Sequence, residues 1–331
     1  MKHALASGPM PPKTPRIRAS AIATHPLAAF PWGDAQPIRL YATPLEDGTG
    51  RTGKEMNYLN DSLWLGALAL AMAATGLVSG TLAGLLGVGG GIVIVPLLFN
   101  VFPLFGIPEA VQMKVAVATS LATIIPTSIQ SARKHRATGA MDMALVRSIW
   151  PTMLAGVVIG TLLAIYVRGE GQTAIFALVA LLVAFNMGFT GLDFKLTDRV
   201  PEGAPRAALG LGIGSVSAMM GIGGGTLGVP LLSLLGYPIR AAVATASAFG
   251  VIIAIPATIG LIWGGWGDPR VPPFSLGYVS LIGFALIAPT SIIATPWGVK
   301  LAHSIPPLLL KRAFAVFLAI TSARMFWSIF T

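Results

Sequence analysis

The chain has 331 residues, 54% of them hydrophobic and only 10% charged, and a mean hydropathy of +0.78, which is more apolar surface than a soluble domain of this size can bury. Cysteine is absent, so disulfides, thiol redox chemistry, iron–sulfur clusters and cysteine zinc sites are excluded, and His3, His25, His135 and His303 are too scattered to form a metal site; no cofactor is expected. The formal charge of +10 comes from basic residues at the ends of apolar runs and in connections, where they suit anionic lipid headgroups rather than nucleic acid.

Residues 1–61 carry no apolar periodicity and no uninterrupted apolar core of a signal peptide. They read as a disordered extramembrane tail. An organelle transit peptide, or translation from a start upstream of the true one, fits the same composition, and each reading leaves the segment outside the membrane core.

From there the chain is a series of apolar runs. They predict helices over Ser62–Leu86, Ile92–Phe105, Met113–Ala132, Ala144–Val167 and Thr173–Leu192, a unit of residues 62–192. A connecting loop, 193–204, leads to a second unit, 205–331, with helices over Pro205–Met220, Thr226–Leu235, Ala241–Trp263, Ser275–Val299 and Leu308–Phe330.

The two units match in order. GVGGGIVIVPLL from Gly87 aligns with GIGGGTLGVPLL from Gly221, KVAVAT from Lys114 with RAAVAT from Arg240, and FALVALLVAFNM from Phe176 with FAVFLAITSARM from Phe314. Three matches in one order argue for an internal repeat, a common transporter architecture. The fold class is therefore an all-α polytopic membrane protein of about eight transmembrane helices, in two four-helix repeats, each with a glycine-rich broken helix. That count takes the short piece after each break to share a crossing with the piece before it, so that both copies point the same way. A re-entrant hairpin at each break is the alternative; it changes the parity and inverts the second copy. With the N-terminus inside, the first arrangement puts Arg133, Lys134, Arg136, Lys195, Arg199 and Arg206 in the cytoplasm, but Lys300 and His303 outside.

Adjacent glycines let a helix break and free the backbone N–H groups that open the next helix. Within a bilayer such groups persist only where protein buries them or where they line a polar cavity, and a helix N-terminus favours an anion. Gly89, Gly90 and Gly91 in one copy and Gly223, Gly224 and Gly225 in the other are thus candidate anion-binding positions. Gly87, Gly221, Pro96 and Pro230 are candidate structural positions around the breaks. The competing reading is close helix packing, as for Gly76, Gly80 and Gly84 at small-xxx-small spacing.

Lys114 and Arg240 stand at matching positions, each five residues before a threonine, Thr119 or Thr245. A cation near a helix N-terminus opposes the macrodipole, which a bound anion would offset; snorkelling to headgroups is the competing reading. Thr119, Ser120, Thr245 and Ser247 offer hydroxyls for substrate oxygens or for their own backbone. Asn186 and Arg324 match in the last helix of each unit, with Arg324 near an interface. No carboxylate falls within an apolar run, since Glu109, Asp142, Glu170 and Asp193 lie at ends, which disfavours proton-coupled or cation transport.

At these residues the sequence resembles the TauE/SafE family of sulfite and organosulfonate exporters, through two copies of GxGGGxxxxPLL, each followed by an AVAT-type helix, over residues 62–331. The resemblance implies an inner-membrane, multi-pass transporter that handles sulfite, sulfonates or related small anions. The N-terminus is expected in the cytoplasm, the partners are the lipid bilayer and a small anionic substrate, and the sequence allows a homo-oligomer. An enzyme is not expected, because no nucleophile–base pair, metal cluster or cofactor motif is present. A non-transporting scaffold and an ion-coupled permease are the rival functions.

Overall fold

The computed structural model describes residues 62–86, 90–137, 139–189, 201–304 and 307–330. The tail 1–61, Gly87, Gly89, Asp193, Lys195 and Arg199 lie outside the described residues.

The helices are α1 (Ser62–Leu86), α2 (Gly91–Val101), α3 (Glu109–Ala137), α4 (Met143–Tyr166), α5 (Gly169–Phe189), α6 (Ala204–Met220), α7 (Gly224–Leu234), α8 (Ile239–Gly264), α9 (Leu281–Ser304) and α10 (Pro307–Phe330). Local chemistry sets several boundaries. Gly221 takes a left-handed φ of 70° and closes α6, with the N–H of Ile222 returning to the Ser217 carbonyl. Asp142 caps α4 by accepting from the N–H of Leu145 at 2.9 Å. Pro96 and Pro230 lie inside the short α2 and α7, where each removes one backbone donor.

The helix expected from Ser275 starts instead at Leu281. Ser275–Leu276 (β1) and Val279–Ser280 (β2) pair antiparallel around Gly277, whose φ is 54° and whose missing Cβ would lie 2.0 Å from the Ile262 carbonyl oxygen. Only glycine fits that turn, and it ends the apolar run as a helix.

Close glycine contacts fix which helices pair and in which direction. On α1, a Cβ at Gly76 would meet Ile287 and Thr290 of α9, and one at Gly80 would meet Ser291, so α1 and α9 run parallel. On α6, Gly210 meets Ile149 and Thr152 of α4 and Gly214 meets Met153, so α6 and α4 also run parallel. α3 is buried on every side from Val111 to Ile124 and packs on α8. The two are antiparallel: Gly250 of α8 touches Ser128 of α3, whereas Asp142, just beyond the end of α3, bonds to Thr245 near the start of α8. α5 packs along α10, with Ser322 donating to the Ala177 carbonyl.

The short helices double back. Gly90 lies beside Ser79 and Ala83 of α1, while Phe99, near the far end of α2, accepts from the Gln112 side chain at the start of α3. Likewise α7 starts against Phe249 and Gly250 in the middle of α8 and returns toward Tyr237, which bonds to Asp142. The shared-crossing arrangement is corrected by this path: the short piece after each break turns back as a re-entrant hairpin. Among the described helices, α1, α3, α5 and α9 run one way and α4, α6, α8 and α10 the other.

Among the described residues, four helices are long and apolar enough to cross a membrane, within Glu109–Ala137, Met143–Tyr166, Arg240–Gly264 and Leu281–Gly298, and shorter apolar stretches occupy α1, α5 and α10. Leu70, Leu182, Ile259, Ile320 and Trp327 are exposed, as on a surface solvated by lipid.

Candidate functional site

The two glycine breaks meet. A Cβ on Gly91 would lie 2.9 Å from the Gly221 carbonyl oxygen and 3.0 Å from the Ile222 Cα, so the start of α2 is packed on the end of α6 through bare backbone. Gly224 is equally tight, 2.4 Å from the Phe249 Cβ by the same measure. Gly91 and Gly224 thus allow close contact, as the packing reading requires.

Gly90, Gly223 and Gly225 do more, because they line a cavity of about 180 Å³ between the breaks and the facing sides of α3, α8 and α9. Gly90 caps α2 and its carbonyl accepts from the N–H groups of Val93 and Ile94 at 3.0 and 2.9 Å, which leaves the N–H groups of Gly91 and Ile92 without partners inside the helix. Gly223 caps α7 in the same manner, its carbonyl accepting from Thr226 at 3.2 Å. The opposing C-terminus is covered, since Ser120 donates to the Gly221 carbonyl at 2.8 Å. Two helix N-termini therefore converge beside one cavity whose mainly apolar wall carries hydroxyls, with their positive ends facing it.

The rest of the lining is hydroxyl-rich. Thr123, Thr127 and Ser131 stand at four-residue intervals on one face of α3 and lead from the breaks to His135, and Ser247, Ser291 and Thr295 face them from α8 and α9. Thr127 and Ser247 turn their protons to their own helices, toward Ile124 at 2.9 Å and Ala244 at 2.6 Å. No Asp or Glu lines this cavity among the described residues. The four-residue spacing in TSLATIIPTSIQSARKH is the signal that would have singled out Thr123, Thr127 and Ser131.

The remaining expected site residues lie elsewhere. Thr119 and Thr245 are buried and do not line the cavity: Thr119 accepts from the N–H of Ser280 at 3.0 Å, and Thr245 from the N–H of Asp142 at 3.1 Å. Lys114 and Arg240 do not converge. Lys114 is the sixth residue of α3, about one and a half turns inside the helix, with its Nζ donating to the Ile165 carbonyl at the end of α4, 2.6 Å away. It is about 14 Å along α3 from Thr123, at 1.5 Å per residue. Arg240, the second residue of α8, is exposed at the opposite end of the molecule, because α8 is antiparallel to α3.

The family described as Sulfite exporter TauE/SafE matches residues 72–325. A probable membrane transporter protein of Haemophilus influenzae is 34% identical over 251 residues, covering 76% of this chain and 95% of that protein. A similarly named protein of Methanocaldococcus jannaschii is 28% identical over 241 residues, covering 70% of this chain and 85% of its own length. No solved structure matches the chain significantly.

Proposed function

The chain belongs to the sulfite exporter TauE/SafE family of membrane transporters, and we propose that it moves a small oxyanion, such as sulfite or a sulfonate, through the cavity where the two glycine breaks meet. The observation that carries this reading is the convergence of two helix N-termini, capped by Gly90 and Gly223, on a cavity that also holds hydroxyls and lacks carboxylates among the described residues. Backbone N–H groups and helix dipoles stabilise an anion without presenting a fixed charge, and a cation carrier would need the missing carboxylates. Gly90, Gly223, Gly225 and Ser247 are the proposed binding positions, joined by Thr123 and Thr127.

Alternating access between two inverted repeats, 62–192 and 205–331, is part of the same proposal. Two sets of matched contacts support it. Gly76 and Gly80 of α1 meet Thr290 and Ser291 of α9 as Gly210 and Gly214 of α6 meet Thr152 and Met153 of α4. Thr119 holds the N–H of Ser280 before α9 as Thr245 holds that of Asp142 before α4. The proposal has eight spans with α2 and α7 as half-length returns, a reading that the helix directions support; each of the two is 11 residues, about 16 Å, against a hydrocarbon core of about 30 Å.

Charge supports the orientation of this proposal. Arg133, Lys134 and Arg136 at the end of α3, Arg206 near the start of α6 and Arg240 near the start of α8 share one end of the bundle, which is the cytoplasmic end by the excess of basic residues. Lys300 and His303, in the last turns of α9, belong to that end as well. α1 then begins on the opposite side, in place of the cytoplasmic N-terminus expected with shared crossings. The test is flux of sulfite, methanesulfonate and a small carboxylate in proteoliposomes of the purified chain. Saturable flux of an oxyanion, weakened several-fold by Thr127→Val, is expected; absence of flux for every anion would sink the reading in favour of a scaffold.

A further inference from the structure

A second, larger cavity of about 490 Å³ shares no lining residue with the first and sits at the opposite end of α3. Lys114 lines it and is only 8% exposed. Its Nζ has the Ile165 carbonyl at 2.6 Å and the Tyr278 ring at 5.6 Å to the centroid, both uncharged, and no carboxylate among the described residues pairs with it. A buried ammonium with no direct ion pair is costly, Asp268 acting on it only through space while paired to Arg270, so a cavity beside it that admits an anion relieves the cost.

Two further cations, Arg168 and Arg270, line the same cavity, and among the described residues only Arg270 of the two has an ion pair, to Asp268 at 2.8 Å. Glu109 and Glu170 are also on the lining and, like Arg168, are exposed; they occupy the first turns of α3 and α5, where they offset the helix dipoles in solvent. In the orientation proposed above, this is the face on which membrane proteins keep few basic residues. Three cations around one basin there run against that bias.

We propose that this basin is an anion-gathering vestibule at the non-cytoplasmic mouth, a second oxyanion site with Lys114 as its buried contact and Arg168 and Arg270 at its rim. Its side of the membrane rests on the reading above, but its affinity for anions does not. The shared chemistry is an oxyanion, whether a free ion or a lipid phosphate.

The chain contains no cysteine, so a single Ser328→Cys on α10, whose native side chain lines the basin, reports on it alone. The experiment compares the rates at which negatively and positively charged methanethiosulfonates of equal size label that cysteine in phosphatidylcholine vesicles, with and without sulfate. An anionic preference of about tenfold is expected, the scale on which charged clefts concentrate ions. It should be slowed by millimolar sulfate and reduced severalfold by Lys114→Gln. Arg168→Gln, at an exposed position, should reduce it as well and covers the case in which Lys114→Gln does not fold. Equal labelling by both reagents overturns the proposal. So does protection by added phosphatidylglycerol with none from sulfate, which assigns the basin to lipid. Absent flux with preserved anionic labelling would reject the transport reading and leave the basin standing.

Discussion

The hydroxyl oxygen of Thr119 accepts a hydrogen bond from the backbone N–H of Ser280, 3.0 Å away and immediately before α9. Ser280 in turn caps α9 by accepting from the N–H of Gly283 at 3.2 Å. A threonine in one half thus orients the capping residue of a helix in the other. Thr119→Val removes the acceptor and leaves a buried N–H unsatisfied, at a cost of about 1–3 kcal/mol, while Thr119→Ser restores most of it. Thermal unfolding in detergent checks this. A lower melting temperature with unchanged KM is expected, and unchanged stability with a raised KM would return Thr119 to the substrate.

The glycines of the breaks should divide by what surrounds them. Gly91→Ala and Gly224→Ala drive a Cβ into the Gly221 backbone and Phe249, so each should cost about 1–3 kcal/mol or abolish folding. At Gly90 the backbone is right-handed, φ −67°, and the nearest atom to a new Cβ is 3.4 Å away. Gly90→Ala should therefore fold normally and lower flux by narrowing the cavity. Yield by size-exclusion chromatography, measured beside flux, separates the two classes.

Much of this arrangement is legible in the sequence, and its limits have physical causes. Glycine and proline punctuation bounds the helices closely, as with Ser62–Leu86, because an apolar run ends where backbone freedom begins. The spacing of Gly76 and Gly80 says that some helix approaches closely but not that it is α9, since a stripe of small residues carries no identity of its partner. The matched motifs at Lys114 and Arg240 reveal similarity but not direction; α3 and α8 run antiparallel, which sends the two residues to opposite ends. The hydroxyls of Thr119 and Thr245 invite a ligand reading, although what they satisfy is backbone of distant helix caps. The hairpin at Ser275–Ser280 hides in an apolar run because its turn depends on one glycine.

Stability should fall at both extremes of pH through one pair outside the spans. Burial pushes the Asp142 carboxyl up, but the Tyr237 hydroxyl at 2.6 Å, the N–H groups of Leu145 and Ala144 and the charge of Arg206 together hold it below the usual carboxylate range. Its contribution is complete above the unfolded carboxylate range and is lost as pH falls through the folded value. Burial and the hydrogen bond to Asp142 push Tyr237 up to about 12 from 10.0, so its contribution is complete below 10.0 and disappears as pH rises through about 12. Tyr237→Phe should abolish the alkaline loss and move the acid loss to higher pH. Melting temperature against pH, in both proteins, measures the two limbs.

The helix directions give the sharpest test of the proposed topology. Re-entrant returns at both breaks put the α3–α4 and α5–α6 connections on one side, with Lys134 and Arg136 on the first and Arg206 at the end of the second. The α4–α5 connection at Arg168, the loop carrying Asp268 and Arg270, and the end of α10 fall on the other. Shared crossings would instead put the start of α1 and the end of α10 in the cytoplasm. Alkaline phosphatase, active only after export, should therefore be active when fused after Arg168, after Trp266 or after Phe330, and inactive when fused after Ala137. The fusion after Phe330 is decisive, because both arrangements put the end of α3 inside, and they differ at the end of α10. An inactive fusion there would restore the parallel repeat and return the N-terminus to the cytoplasm.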